Sequence, residues 1–223
     1  MGAVSLAEVR ARLLALAAEI EAEIPAAEAD PAPPAPTLPE PAPEPAVRLA
    51  WGARVSPTFQ ARVAWICADL DIGPGPDRPE PSWLMACIAW ESGRTFSASV
   101  KNMAGSGATG LIQFMPATAA DLGTSTAELA AMTAEDQLNF VWKYFRPWKG
   151  RLRSLSDLYM AILWPAGVGQ AEGFVLWDKA SRPTTYRQNA GLDANRDGAI
   201  TKAEAAAKVA ALLAEGLTPE NAA

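Results

Sequence analysis

Three stretches of this chain carry residues whose types and spacing could do chemistry. The first is Trp83-Leu84-Met85-Ala86-Cys87-Ile88-Ala89-Trp90-Glu91-Ser92-Gly93. Leu84, Cys87, Ile88 and Glu91 recur at helical spacing and share one face. A single carboxylate therefore projects from an apolar stripe in the last turn of a helix. Desolvation and the negative end of the helix dipole both disfavour its anion. A carboxylic acid kept protonated near neutral pH is what a general acid needs. The plainer reading is a Glu that is solvated or paired with a base such as Arg94. The helix is expected to start at a Ser82 N-cap and to stop at Gly93, where a left-handed residue commonly closes a helix.

The second stretch is Gly107-Ala108-Thr109-Gly110-Leu111-Ile112-Gln113-Phe114-Met115-Pro116. Gly107 and Gly110 mark a tight turn, and Gln113 sets one amide among apolar side chains. A buried amide needs partners, and a sugar N-acetyl or hydroxyl group would serve. Pro116 suits the first position of a following helix. The third stretch, Asp193 to Glu204, fits the EF-hand loop at its diagnostic positions. Asp193, Asn195, Asp197, Thr201 and Glu204 supply oxygens at positions 1, 3, 5, 9 and 12. Ala199 offers its carbonyl, and Gly198 supplies the turn at position 6. That predicts one structural Ca2+; the alternative is an acidic turn capping a helix over Lys202–Leu213.

Glu91-Ser92 followed by Gly-Ala-Thr-Gly-Leu-Ile-Gln-Phe-Met-Pro resembles the soluble lytic transglycosylases, relatives of goose-type lysozyme that cleave peptidoglycan glycan strands. The resemblance covers roughly residues 80 to 178. It implies a lysozyme-like helical domain in which Glu91 is the catalytic acid and base and no cofactor takes part in catalysis. It also implies a glycan groove involving Ser92, Gly110, Gln113, Phe114 and Tyr159, with Trp90 and Trp164 as stacking indoles. The family's Ala-Tyr-Asn-Ala-Gly motif is replaced by Leu163-Trp164-Pro165-Ala166-Gly167, and Pro165 cannot reproduce an Asn amide. Asp121 and Asp157 are the weak candidates for a second acid, which keeps a lysozyme-type hydrolase open.

The elements that must position these residues are helical. The chain has 223 residues, half of them apolar, enough for one substantial core. A net charge of −6 argues against nucleic acid as a partner. The absence of histidine removes His-dependent triads and most zinc chemistry. Cys67 and Cys87 fall in apolar helical patterns and read as core residues. Helices are expected from Ser56-Pro57 to Leu70, with Phe59, Val63 and Ile66 buried. Others are expected after Pro116, at the Ser125–Glu128 capping box, from Thr133 through Leu138, Val141, Trp142 and Phe145, and over Asp157–Leu163. No sustained strand alternation occurs, so the fold class is all-α or mainly α.

The expected organisation is an amphipathic helix within 1–30, a Pro/Ala-rich linker over 31–50, the lysozyme-like domain over 51–180 and the EF-hand segment over 181–223. Leu6, Val9, Leu13, Ile20 and Ile24 form the stripe of the first helix, which is too short to stand alone in water. It is expected to dock on the domain, on a second copy or on a phage tail or virion scaffold. Glu8, Arg10, Arg12, Glu19 and Glu21 interrupt any secretory signal, and no apolar run is long enough to span a membrane. The combined expectation is a virion-associated enzyme, or one held in the host cytoplasm before delivery, that acts on the cell wall. The rival is a structural virion protein with a glycan-binding, lysozyme-like domain.

Overall fold

The computed structural model describes residues 48–75, 78–102 and 105–223. The expected N-terminal helix and the Pro-rich linker up to residue 47 lie outside the described residues. Within them the chain is mainly α. Eight α-helices follow in order: α1 Pro57–Asp69, α2 Pro81–Glu91, α3 Pro116–Asp121, α4 Thr126–Ala131, α5 Ala134–Phe145, α6 Leu155–Leu163, α7 Pro183–Asn189 and α8 Lys202–Gly216.

Local chemistry sets most of the starts. The Ser56 hydroxyl accepts from the Phe59 N–H at 3.1 Å, and Pro57 occupies the first turn of α1. Thr133 accepts from Asp136 N–H at 3.0 Å to open α5, whose buried face carries Leu138, Val141 and Phe145. Helix α6 begins at Leu155, two residues before the expected start. The Ser154 hydroxyl accepts from Asp157 N–H, which makes Asp157 a first-turn residue. Helix α2 differs from expectation in its cap. Pro81 opens it without a side-chain cap, and the Ser82 hydroxyl instead accepts from Ala50 N–H at 3.2 Å.

Helix α2 is the centre of the molecule. Every residue from Leu84 to Glu91 is buried, so the expected single stripe is replaced by a helix enclosed on all sides. Helices α1, α6 and α8 pack around it. Leu49 and Ala50, expected at the end of the linker, belong to this core. Leu49 and Ala223 exchange backbone hydrogen bonds of 2.7 and 3.2 Å, and the Trp51 indole N–H donates to the Leu212 carbonyl at 2.9 Å. Residues 181–223, expected as an appended segment, likewise share the core through Leu192, Ile200, Ala205, Val209 and Leu212. The C-terminal helix packs along α2.

One small sheet interrupts the helical pattern. Val175–Asp178 (β1) pairs antiparallel with Ala199–Thr201 (β2), with Trp177 opposite Ile200. Strands of four and three residues are too short to give an alternation readable in sequence. No described helix is long and apolar enough to cross a membrane.

Candidate functional site

Glu91 is the last residue of α2 and is 3% exposed. The helix stops immediately after it in a Schellman turn. Gly93 takes a φ of 60°, its N–H donates to Trp90 O at 3.2 Å, and Arg94 N–H donates to Ala89 O at 2.7 Å. The two plainer accounts of Glu91 both weaken here. Burial removes it from solvent, and the Arg94 guanidinium is engaged elsewhere, donating to the Glu215 carboxylate of α8 at 2.9 and 2.6 Å. One turn before Glu91, burial pushes the Cys87 thiol well up, with Glu91 and Cys67 adding to it. Both cysteines are free and buried.

The segment after α2 folds back through polar ties. The Ser92 hydroxyl accepts from Phe96 N–H at 3.1 Å, and Phe96 packs on Phe59 and Trp51 at 6.2 Å between ring centroids. Thr109 pairs with Phe114 through bonds of 3.0 and 2.9 Å. Gly110, with a φ of 87°, donates to Val100 O at 2.8 Å. Gln113, at φ 55°, sends its amide NH2 to Gly110 O at 2.9 Å and to Val100 O at 3.2 Å. Its donors therefore brace the turn instead of facing a sugar. Its amide oxygen is buried without a hydrogen-bond partner.

Gln137, which sequence reasoning passed over, holds this wall in place. Fully buried on α5, it accepts from Leu111 N–H at 2.6 Å and donates to Ala98 O at 3.0 Å and Leu129 O at 2.9 Å. A side chain on Gly110 would meet the Gln137 amide at 2.2 Å. The available signal was a polar residue one turn before Val141, on the apolar face of a helix.

Other expected groove residues lie deeper than their roles require. Ser92, Gly110, Phe114 and Tyr159 are buried. Trp90 is also buried, because α2 is enclosed on all sides, and its indole N–H has no hydrogen-bond partner. Trp164 packs edge-on against Trp177 at 5.5 Å, with the Arg182 guanidinium 4.8 Å from its ring centre. Neither indole is the exposed stacking platform expected. Pro165 starts a short 3-10 turn, Pro165–Gly167.

Asp157, the other weak candidate for a second carboxyl, is tied into the core. It is buried and paired with Lys202 Nζ at 2.5 Å, and its Oδ1 also accepts from Gly169 N–H at 2.8 Å. Burial pushes its carboxyl up, but Lys202 and the Gly169 N–H more than offset this and hold it below the usual carboxylate range. Asp157 is thus kept as an anion with a fixed counter-ion on α8. Asp121 is exposed on α3.

The 193–204 loop forms a closed polar network. Asp193 Oδ2 accepts from the Tyr186 hydroxyl and from Gly198 N–H, so the carboxylate lies across the loop. Asn195 Oδ1 accepts from Asp197 N–H and Asp197 Oδ1 from Ala199 N–H, both at 2.9 Å. Glu204 receives Ala194 N–H at 3.2 Å on one oxygen and Thr201 N–H at 3.0 Å on the other, and completes a capping box with Thr201 for α8. The Tyr186 bond holds the Asp193 carboxyl low and lifts the phenol to about 12. Among the described residues no three His, Cys, Asp or Glu side chains converge about one point. The donor set is nevertheless all oxygen, as a hard cation requires. Asp193 Oδ1 is buried without a partner on a residue only 7% exposed. No protein-family model, curated protein or solved structure matches this chain.

Proposed function

We propose that this chain is a peptidoglycan lytic transglycosylase with Glu91 as its single acid and base. The observation that carries the reading is the position of Glu91. It is a carboxyl buried at the C-terminal end of the central helix, where burial and the helix dipole both oppose the anion. A carboxyl able to carry a proton at such a place suits an acid catalyst.

The chemistry balances with one protein carboxyl. Glu91 gives its proton to the glycosidic oxygen as the C1–O bond breaks, and the N-acetyl oxygen of the muramic residue closes on C1. The Glu91 carboxylate then takes the proton of the 6-hydroxyl as that oxygen displaces the N-acetyl group. A 1,6-anhydro end results, the acid is regenerated and no water is consumed. Gln113, Gly110 and Ser92 act in this reading as the backing of the groove wall, shaping it from behind.

The reading includes a structural Ca2+ in the 193–204 loop and attachment to a phage tail or virion scaffold through residues 5–24. Mass spectrometry of muropeptides from purified peptidoglycan tests the chemistry. Anhydromuramic products are expected, one water lighter than reducing ends. Reducing ends alone would assign hydrolysis. A second reading, a structural virion protein, draws on the burial of Trp90 and Trp164; absence of cleavage by folded protein would favour it.

A further inference from the structure

Helix α8 joins the two candidate sites physically. Its first turn is the end of the 193–204 loop: Thr201 caps it, Glu204 closes the capping box, and Lys202 is buried against Asp157 and Gln170 O. Its last turn reaches the turn that follows Glu91. Glu215 takes the Arg94 guanidinium through two hydrogen bonds, and Arg94 N–H closes the Schellman turn. The Leu212 and Gly216 carbonyls accept from Trp51, whose ring lies 6.0 Å from the Arg94 guanidinium. Along its length α8 packs on α2.

We propose that Ca2+, held by Asp193, Asn195, Asp197, the Ala199 carbonyl, Thr201 and Glu204, fixes α8 and, through Glu215 and Arg94, the turn that positions Glu91. Two observations join at the metal end. The oxygens lie at EF-hand spacing, and Asp193 Oδ1 is buried and unpartnered beside an Oδ2 already bonded to Gly198 across the loop. A cation completes that oxygen's coordination and draws the loop's other oxygens toward it. The metal adds to the Thr201–Glu204 box, the Lys202 side chain and the Lys202 and Ala203 N–H bonds to Phe174 O and Glu172 O, which already hold the start of the helix. Coupling between two sites is reciprocal, so whatever orders the turn at Arg94 also tightens calcium binding. That calcium thereby governs glycan cleavage rests on the assignment of Glu91 above.

Calorimetry with CaCl2 on the full chain, paired with hydrogen exchange followed by mass spectrometry, tests the proposal. One bound Ca2+ is expected, with exchange in residues 89–96 slowed about tenfold, within the usual range of coupling between sites. Asp193→Asn with Asp197→Asn should abolish binding and the slowing together. Glu215→Ala should still bind Ca2+ and protect the 193–204 loop, yet lose the slowing at 89–96. Absence of binding by wild type overturns the metal site. Protection of the loop without any change at 89–96, or an unchanged effect in Glu215→Ala, overturns the coupling. Muropeptide release should rise with the same calcium midpoint. If no cleavage occurs at any calcium level, the exchange result still decides the latch, and the Glu91 assignment alone fails.

Discussion

Glu91 and Asp157 are both buried carboxyl groups on helices that touch the same core, and the fold treats them in opposite ways. Asp157 sits in the first turn of α6, at the favourable end of the helix dipole, and receives Lys202 and the Gly169 N–H. Glu91 sits at the unfavourable end of α2, and the nearest cation in sequence, Arg94, is engaged by Glu215 instead. The first arrangement locks the C-terminal helix onto the domain. The second places a buried carboxyl at the end of the helix opposite to the one that favours its anion. The contrast sets a carboxyl matched to a counter-ion beside the one to which the proposed function assigns the chemistry, and it can be broken from either side.

The largest effect is expected at Glu91. Glu91→Gln keeps shape and hydrogen bonding but cannot release a proton to the leaving oxygen. General acid–base catalysis contributes about 10²–10⁴-fold, and one residue serving both steps should put the loss at or above the top of that range. Its far-UV circular dichroism should match that of wild type, so that the loss reads as chemistry and not as misfolding. A Glu91→Gln protein that retained cleavage of purified peptidoglycan would end the contrast on the chemical side.

Lys202→Met should do the reverse. Removing one partner of a buried pair costs about 3–5 kcal/mol in denaturant unfolding, with far less change in turnover per folded molecule. Adding Asp157→Leu should recover most of the loss, since no uncompensated charge then remains. Acid should act on the same pair. The folded Asp157 carboxyl lies below its ordinary value, so its stabilisation is present above the unfolded value, about 3.9, and is lost as pH falls through the folded one. Unfolding measured below about pH 4 should show a smaller acid dependence in Asp157→Asn than in wild type.

Gln137→Leu lies between the two carboxyls in kind, because it tests the 109–114 turn without touching a charge. Leaving Leu111 N–H, Ala98 O and Leu129 O without their partner should cost on the order of 3 kcal/mol. Cleavage should fall as well, through misplacement of the 109–114 turn. Little change in either would remove Gln137 from the account. The smallest stability effect is expected for Glu215→Ala, about 0.2–1 kcal/mol in thermal or chemical unfolding. Its pair with Arg94 is 40–41% exposed and screened by solvent. A larger loss would mean that this bridge belongs with the Asp157 lock and not with the turn at Glu91.

Features set by near neighbours were readable in the sequence alone. The caps at Ser56, Ser125 and Thr133, the proline starts of α1 and α3, the stop at Gly93 and the ordering of the 193–204 oxygens each depend on groups a few residues apart. Those groups meet through the geometry of a single turn. Burial direction and partner choice were decided by the tertiary fold. Leu84, Cys87 and Ile88 predict one buried face, but α8, which packs beside α2, comes from more than a hundred residues later and encloses α2, burying Trp90 and Glu91 with it. Ser82 leaves its expected cap for Ala50, Arg94 goes to Glu215, Lys202 reaches back to Asp157, and Gln137 spans to Ala98 and Leu111. No local pattern encodes these choices. Each is settled by which buried polar groups the packed helices leave needing a partner, and that is fixed only when distant segments meet and exclude water.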